Sequence, residues 1–384
     1  MASRASAHIQ PADKRVRQEF VRIAFSTEQL ARRDACRELL LSECTPTVVR
    51  NSWTSRNGLN PGIWLQLGEL GFLGALLPSR CGGLGATMED LILVAEEVGY
   101  FGLPDPFVEH AMVALPTLAE AGENVRDSSL DAQVISAFAR GVAGRAVITA
   151  SGFDGSFNVV HGQSADAVVA FEGRWISLVE NSPRPHNGNL SMTSPVATFP
   201  VATFPVTSSR DRSRRLVRSP VEGWSGALVA RGTHANRIAE RAAHRGAVAT
   251  AAMLVGAARR CLDMAVEQIL HLRDIGCSAE HIRAASMRLS RAGMELEIAK
   301  PAVYRAAHSV SEGSPDVDCH VSMAKALASD AAQLVACVSR ELFGTSAEVF
   351  DHDLYLWLCR IDALAYSWGS STSHRDRFAT AMGI

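Results

Sequence analysis

The sequence has no excess of charge of either sign and no long uncharged apolar run. It has 384 residues, with 38 Lys and Arg against 40 Asp and Glu, so its formal net charge is −2. Proteins that bind nucleic acids carry a clustered excess of cations, and a helix that crosses a bilayer needs ~20 consecutive apolar residues. This composition argues against nucleic acid and against a membrane as partners.

The cysteines lack the spacing of a metal site or of a disulfide framework. Eight are scattered without a CxxC pair and without clustered histidines. This pattern does not fit the common zinc sites and favours reduced thiols in a cytoplasmic protein. Residues 1–24 are polar and basic, without the apolar segment of a secretory signal. We predict a flexible extension there and a cytoplasmic location.

The spacing of apolar residues changes twice along the chain, which predicts three domains. In residues 25–126 apolar residues recur three or four positions apart, as in amphipathic helices. Residues 127–230 hold short β-rich runs separated by Gly, Asn and Asp, which predict a compact antiparallel β domain. Residues 231–384 are helical again and predict a four-helix bundle, with helices at 238–273, 279–313, 316–343, 351–369 and 374–382. The fold class is mainly α with a β insertion.

Two local features of the middle domain indicate no chemistry of their own. Residues 195–205 contain a tandem duplication of Val-Ala-Thr-Phe-Pro. Two copies are too few for a solenoid, so we interpret them as a neutral extension of a loop or edge strand. The basic run at 210–218 is more typical of a solvated loop than of a phosphate site.

Several N-terminal segments resemble the acyl-CoA dehydrogenase family. Residues 64–78 (WLQLGELGFLGALLP) and 81–85 (CGGLG) are similar to the family's W..L.ELGL.GL.VPEE.GGLG stretch. Residues 95–99 (AEEVG) and 104–109 (PDPFVE) are similar to its EELG....P.PF.E stretch. The resemblance implies an N-terminal helical domain, a middle β-barrel-like domain and a C-terminal four-helix bundle that tetramerises.

The C-terminus resembles a subset of this family known chiefly from actinobacteria, including enzymes that act on steroid side chains. Residues 342–344 (LFG), 351–360 (DHDLYLWLCR) and 369–375 (GSSTSHR) are similar to the ending HGG.GYTWEHDLHLYLKR...G....HR. The likeness covers residue 25 to the end and is weakest in the middle. It implies removal of the α-proton of an acyl-CoA by a carboxylate and hydride transfer from Cβ to N5 of FAD, giving a trans-2-enoyl-CoA.

The family's catalytic carboxylate is missing from both of its usual positions. In many members it is the Glu of a YEGT motif after the last bundle helix, and the corresponding residue here is Trp368. In other members it lies about ten residues before a glycine of the bundle. Counting back from Gly276 through Gly256 places that position at Gly246. Neither residue can abstract a proton.

Three acids lie near these positions in the sequence. Glu240 is more typical of a solvated helix face, and Asp351 fits an N-cap before the helix that follows it. Glu348 has no such pattern. Each remains a candidate for a relocated base.

The residues that the resemblance assigns to the cofactor are eroded. The flavin-binding TEP..GSD stretch is shortened, with only Thr149 retained. In R.QFG, whose arginine clamps the pyrophosphate of FAD from a neighbouring subunit, the arginine is displaced by one residue and lies beside Asp274. Cofactor contact and pairing with Asp274 are equally compatible with this position. The implied FAD contacts are Thr149, Arg273, Gly276, Gly344, Thr345 and Ser370.

These losses resemble one subunit of the family's heteromeric pairs, in which the other subunit supplies the base and most flavin contacts. We therefore expect a non-catalytic subunit of an FAD-dependent acyl-CoA dehydrogenase, assembled with a homologous subunit as a dimer or tetramer. A self-sufficient dehydrogenase with a relocated base and a redox-inactive scaffold of the same fold remain alternatives. The resemblance favours a bulky or branched acyl group over a plain fatty chain.

Overall fold

The computed structural model describes residues 25–55, 58–123, 132–151, 158–180, 206–207, 209–218 and 226–384. The predicted extension at 1–24 and the duplicated Val-Ala-Thr-Phe-Pro segment lie outside the described residues. The described chain is mostly helical with a small β region, which confirms the predicted fold class.

The N-terminal helices pack around one apolar core that continues into the C-terminal helices. Several begin with a side-chain cap: Ser26 before α1 and Thr87 before α4 each form a capping box. The elements are α1 (Thr27–Glu43), α2 (Pro46–Thr54), α3 (Pro61–Glu69), α4 (Met88–Phe101), a π-helical segment (Val108–Ala114), α5 (Leu115–Glu123) and α6 (Ala132–Val142).

The middle region contains two small sheets. One has the strand order β1-β3-β4-β7 and the other β2-β6-β5. The strands are β1 (Ile148–Ala150), β2 (Asn158–Val160), β3 (Ala167–Glu172), β4 (Trp175–Glu180), β5 (Val206–Thr207), β6 (Leu216–Arg218) and β7 (Ala227–Arg231). The expectation of a purely antiparallel domain is wrong in one respect, because β1 pairs with β3 in parallel.

The C-terminal region consists of three long helices and two shorter ones. They are α7 (Gly232–Asp274), α8 (Ala279–Glu312), α9 (Val317–Phe343), α10 (Asp353–Tyr366) and α11 (Ser371–Met382). Helix α7 begins six residues before the predicted start at 238, directly after β7. Helix α10 is shorter than predicted at both ends and is capped by His352, whose side chain accepts from the Leu354 N–H. The interpretation of Asp351 as the N-cap is therefore wrong.

Helix α9 tests the expectation that no segment crosses a membrane. The helical stretch Val317–Glu348 is long and apolar enough to do so, but 67% of its most apolar window is buried inside the protein. A helix at the centre of a bundle has this composition because its neighbours surround it.

The sequence EEVG at residues 96–99 lies where α4 crosses α7, and this crossing explains its glycine. A Cβ on Gly99 would overlap the backbone of Met253, and a Cβ on Gly256 would overlap the carbonyl of Glu96. The two helices approach this closely because neither glycine has a side chain. Beside the crossing, Arg259 bonds both Glu96 and Glu97 at 2.7 Å.

The PDPFVE segment connects the helical and β regions through buried charges. Glu109 bonds Arg214 at 2.7 Å. Asp105 accepts the N–H of Asn60 at 2.9 Å, and burial raises its pKa to about 7. Arg360 of α10 bonds Asp211 and donates to the Leu103 carbonyl at 2.7 Å. Each of these pairs joins residues more than 40 positions apart, which fixes the loop at this junction.

Candidate functional site

The two positions that the resemblance assigns to the family's base meet at one place in the fold. Gly246 lies in α7, and Trp368 lies in the turn between α10 and α11. A Cβ placed on Gly246 would lie 2.5 Å from Cδ2 of the Trp368 indole and 2.7 Å from Cε2 and Cε3. Carbon atoms in contact are 3.5–4.0 Å apart. The indole therefore occupies the space that a side chain at position 246 would need.

The turn that carries the indole has an unusual backbone. Trp368 has φ +59° and Gly369 has φ +102°. A bulky residue in the left-handed region costs of order 1–3 kcal/mol and persists only where neighbouring contacts hold it. Gly369 cannot carry a side chain here, because its Cβ would lie 2.7 Å from Nε2 of His374.

Two side chains hold the carbonyl groups of this turn. The Lys325 ammonium group of α9 is fully buried and donates to the carbonyls of Ala365 at 3.0 Å and Gly369 at 2.9 Å. His374 Nε2 lies 2.8 Å from the Trp368 carbonyl. The turn is thus an ordered structure, fixed from two neighbouring helices.

A groove of about 670 Å³ opens next to this turn, between α7, α9 and α11. Ala247 and His374, which line it, are direct neighbours of Gly246 and of the Trp368 turn. Its described lining contains three carboxylates and one guanidinium: Glu240, Asp318, Asp376 and Arg377. This excess of carboxylates is a poor match for the phosphates of a CoA ligand.

The groove also contains a histidine–carboxylate pair that was not predicted from the sequence. His244 Nε2 lies 2.7 Å from Asp318 Oδ1, and both residues line the groove. A carboxylate that bonds one ring nitrogen fixes the tautomer and leaves the other nitrogen able to accept a proton. The residues are 74 positions apart. The only sequence signal was the position of His244 one helical turn after Glu240.

The three acids named from the sequence lie in different surroundings. Glu240 lines the groove. Glu348 is 68% exposed and lies 3.8 Å from Arg340, as in an ordinary surface pair. Asp351 is exposed, and its backbone carbonyl accepts from Arg50. Of the three, only Glu240 lines the groove beside the Gly246–Trp368 contact.

The residues proposed to hold FAD lie on five separate elements. Thr149 in β1 is fully buried, and its hydroxyl donates to the Val160 carbonyl at 2.7 Å. A group in this state does not fit a direct contact with a flavin ring. Ser370 caps α11 by accepting the Ser373 N–H.

The other proposed FAD contacts are at the surface. Arg273 is 64% exposed and 3.9 Å from Asp274, and Gly276 follows it in the turn between α7 and α8 with φ +83°. Gly344 has φ +60° and, like Thr345 after it, is exposed. These positions fit contact with a cofactor held mainly by another chain. Among the described residues, no group of three His, Cys, Asp or Glu is placed to hold a metal ion.

The chain is similar to known proteins along most of its length. The sequence models of the acyl-CoA dehydrogenase N-terminal and C-terminal domains match residues 26–130 and 236–383. Acyl-CoA dehydrogenase IpdE2 of Mycobacterium tuberculosis is 26% identical over 333 residues, covering 85% of this chain and 89% of that protein. IpdE2 of Mycolicibacterium smegmatis is 22% identical over 345 residues, covering 90% and 95%.

Solved structures share the fold at low identity. The ChsE4-ChsE5 complex from Mycobacterium tuberculosis has a chain with a TM-score of 0.75 at 16% identity, covering 94% of this chain and 98% of that one. A variant of the Tcur3481-Tcur3483 steroid ACAD has a TM-score of 0.74 at 18% identity, covering 93% and 98%.

Proposed function

The chain belongs to the acyl-CoA dehydrogenase family of oxidoreductases, and we propose that it is the subunit of a two-chain, FAD-dependent enzyme that does not remove the substrate's α-proton. One observation carries this proposal. The indole of Trp368 fills the place where both of the family's base positions meet, directly against Gly246.

Proton abstraction needs a group with a free lone pair close to the α-carbon. The indole N–H is a donor only, and a glycine offers no side chain. The adjoining groove is also a poor match for the phosphates of CoA, because its carboxylates outnumber its single guanidinium. In the proposed enzyme the base and the phosphate-binding groups belong to the partner subunit.

An exposed apolar face supports assembly with a second chain. Helix α8 buries Leu289 and Leu296 on one side, while Met287 and Met294 on the other side are 66% and 67% exposed. A helix that is apolar on both sides is typical of one enclosed on both sides. The exposed apolar side chains of α8 are Met287, Met294 and Ile298, and those of α7 and of the turn that joins it to α8 are Val266, Leu270 and Ile275.

Arg273, in the last turn of α7, and Gly276, in the turn to α8, lie beside the exposed Ile275, which supports a shared cofactor site. FAD, when bound, accepts the hydride from Cβ of the substrate. We propose that Arg273 contacts its pyrophosphate in the partner's site, where a guanidinium forms paired hydrogen bonds, and that Gly276, Gly344, Thr345 and Ser370 lie against the cofactor. The two-chain ChsE4-ChsE5 and Tcur3481-Tcur3483 relatives support a homologous partner, in a dimer or tetramer.

We also propose a substrate class and a location. The steroid ACAD among the structural relatives supports a bulky, ring-containing acyl-CoA. All eight cysteines are free thiols, which supports a cytoplasmic location.

Co-purification tests the proposed function. The chain is expressed alone and together with a homologous dehydrogenase subunit encoded beside it, and each sample is assayed for visible flavin absorbance and for acyl-CoA oxidation with an artificial electron acceptor. We expect the chain alone to be colourless and inactive, and the complex to be yellow and active. A yellow, active homo-oligomer of this chain alone would overturn the proposal.

A self-sufficient enzyme is the second candidate, because Glu240 and the His244–Asp318 pair line the groove. It requires flavin in the lone protein and a base in this groove. Glu240→Gln or His244→Gln would then lower turnover by a hundredfold or more. Glu348→Gln, which changes an acid at the surface, is the matched control.

A further inference from the structure

A proline sets the geometry of the segment that packs against α7. Pro116 has no N–H, so the carbonyl of Met112, four residues earlier, lacks its usual helical partner. The chain is π-helical at this point, over Val108–Ala114. The released carbonyl accepts the Arg245 Nε–H at 2.9 Å. Such irregular turns occur often at functional sites.

Arg245 is held deep between α5 and α7. It is 7% exposed, and its Nη1 bonds Glu120 of α5 at 2.5 Å. The other oxygen of Glu120 bonds Arg241, one turn earlier on α7, at 2.8 Å. One carboxylate is therefore shared by two guanidinium groups, so these three side chains carry a formal net charge of +1, with the Arg241 guanidinium 54% exposed.

Two buried polar atoms at this interface have no hydrogen-bond partner. One is Nη2 of Arg245 and the other is Oγ1 of Thr117, which is fully buried. Thr117 precedes Glu120 by three residues, so the two side chains lie on the same face of α5. Leaving a buried donor unsatisfied destabilises the folded state, and more strongly when the group is charged. A bound acceptor of negative charge would satisfy both the charge and the donors.

We infer that a small monovalent anion, of the size of chloride, nitrate or formate, binds between α5 and α7 against Nη2 of Arg245 and the hydroxyl of Thr117. The anion offsets the net positive charge of Arg241, Arg245 and Glu120. It also connects α5 to α7 one residue before Gly246. This inference is independent of the proposed function, because it concerns a site that no step of dehydrogenation uses.

The first test measures unfolding of the intact chain in urea at constant ionic strength. Sodium gluconate, whose anion is too large for a buried site, is replaced stepwise by sodium nitrate or sodium formate. We expect the unfolding equilibrium constant to fall about elevenfold when the anion reaches ten times its dissociation constant. Arg245→Met should abolish this dependence. Arg237→Met, which changes an exposed guanidinium of α7 outside this cluster, should retain it.

Thr117→Val provides a test that does not depend on Arg245. If no anion binds, this substitution removes an unsatisfied hydroxyl and leaves stability equal or higher in every salt. If the anion bonds the hydroxyl, the variant is less stable than the wild type in nitrate and needs more nitrate for the same shift. Absence of any anion dependence in the wild type, or its persistence in Arg245→Met, would overturn the inference. Bromide anomalous scattering from a crystal should give a peak at Nη2 of Arg245, and its absence there would also count against the site.

Discussion

Replacing Gly246 by alanine tests the contact on which the proposed function depends. At an ordinary helix position this change stabilises a protein by about 1 kcal/mol, because glycine is a poor helix former. Here the new methyl group would lie 2.5 Å from the Trp368 indole, about 1 Å closer than carbon atoms pack. Overpacking of this kind costs about 1–3 kcal/mol. We therefore expect Gly246→Ala to be neutral to destabilising by about 2 kcal/mol.

A double-mutant cycle separates the steric effect from helix propensity. Trp368→Ala removes the indole, so adding Gly246→Ala to that variant should stabilise the protein by about 1 kcal/mol. The coupling energy between the two positions should equal the steric cost, about 1–3 kcal/mol. Gly293→Ala in α8 is the matched control, because its Cβ would lie at an ordinary 3.6 Å from Leu262. We expect that control to stabilise by about 1 kcal/mol.

The assay is urea unfolding of all four members of the cycle and the control, followed by far-ultraviolet circular dichroism. A Gly246→Ala variant that is stabilised as much as Gly293→Ala, with no coupling to Trp368, would refute the reasoning. The indole would then not occupy the base position, and the argument against proton abstraction by this chain would lose its main support.

Three further predictions concern buried charges and are measured by urea unfolding. Burial raises the pKa of Asp105 to about 7. Between pH 4 and pH 7 this carboxyl group is therefore protonated in the folded chain but ionised in the unfolded chain. The free energy of unfolding should therefore fall relative to Asp105→Asn by about 1.4 kcal/mol per unit as pH rises from 4 to 7, and the gap should stay constant above that. Lys325→Met should destabilise by about 2–4 kcal/mol, because it leaves two buried carbonyls without their donor. The Ser329 hydroxyl also accepts from Lys325, at 3.1 Å, and Ser329→Ala, which leaves both carbonyls bonded, should cost less than about 1 kcal/mol. Arg360→Leu should cost about 3–5 kcal/mol by leaving Asp211 buried without its cation, and Asp211→Asn in that variant should recover part of the loss.

The boundaries of α8 were predictable because a cap at each end is visible in the sequence. Helix α8 was predicted at 279–313 and runs from Ala279 to Glu312, because Ser278 caps its start and Gly313, with φ +63°, ends it. Helix α7 was predicted six residues short. It begins after Arg231, whose side chain makes no capping bond, so no local signal marks its start.

Contacts between distant residues were beyond prediction from one sequence. The parallel pairing of β1 with β3 depends on how the sheet closes, which no residue of either strand encodes alone. The His244–Asp318 pair was missed for the same reason, since its members lie on α7 and α9. Gly246 and Trp368 were each named from the resemblance, yet their contact requires α7 and the turn after α10 to meet.

That contact changes how the missing base is explained. Two independent losses would leave a cavity or a collapsed turn at the place where they meet. Instead the indole of Trp368 fits against a position that has no side chain, and its strained backbone is held by the buried Lys325 and by His374. Restoring a carboxylate at 368 alone would exchange the indole for a smaller group and leave space beside Gly246, which costs packing energy. The site is therefore an alternative, internally consistent packing, and this favours a chain with a lasting structural role in an assembly over one that has merely lost its activity.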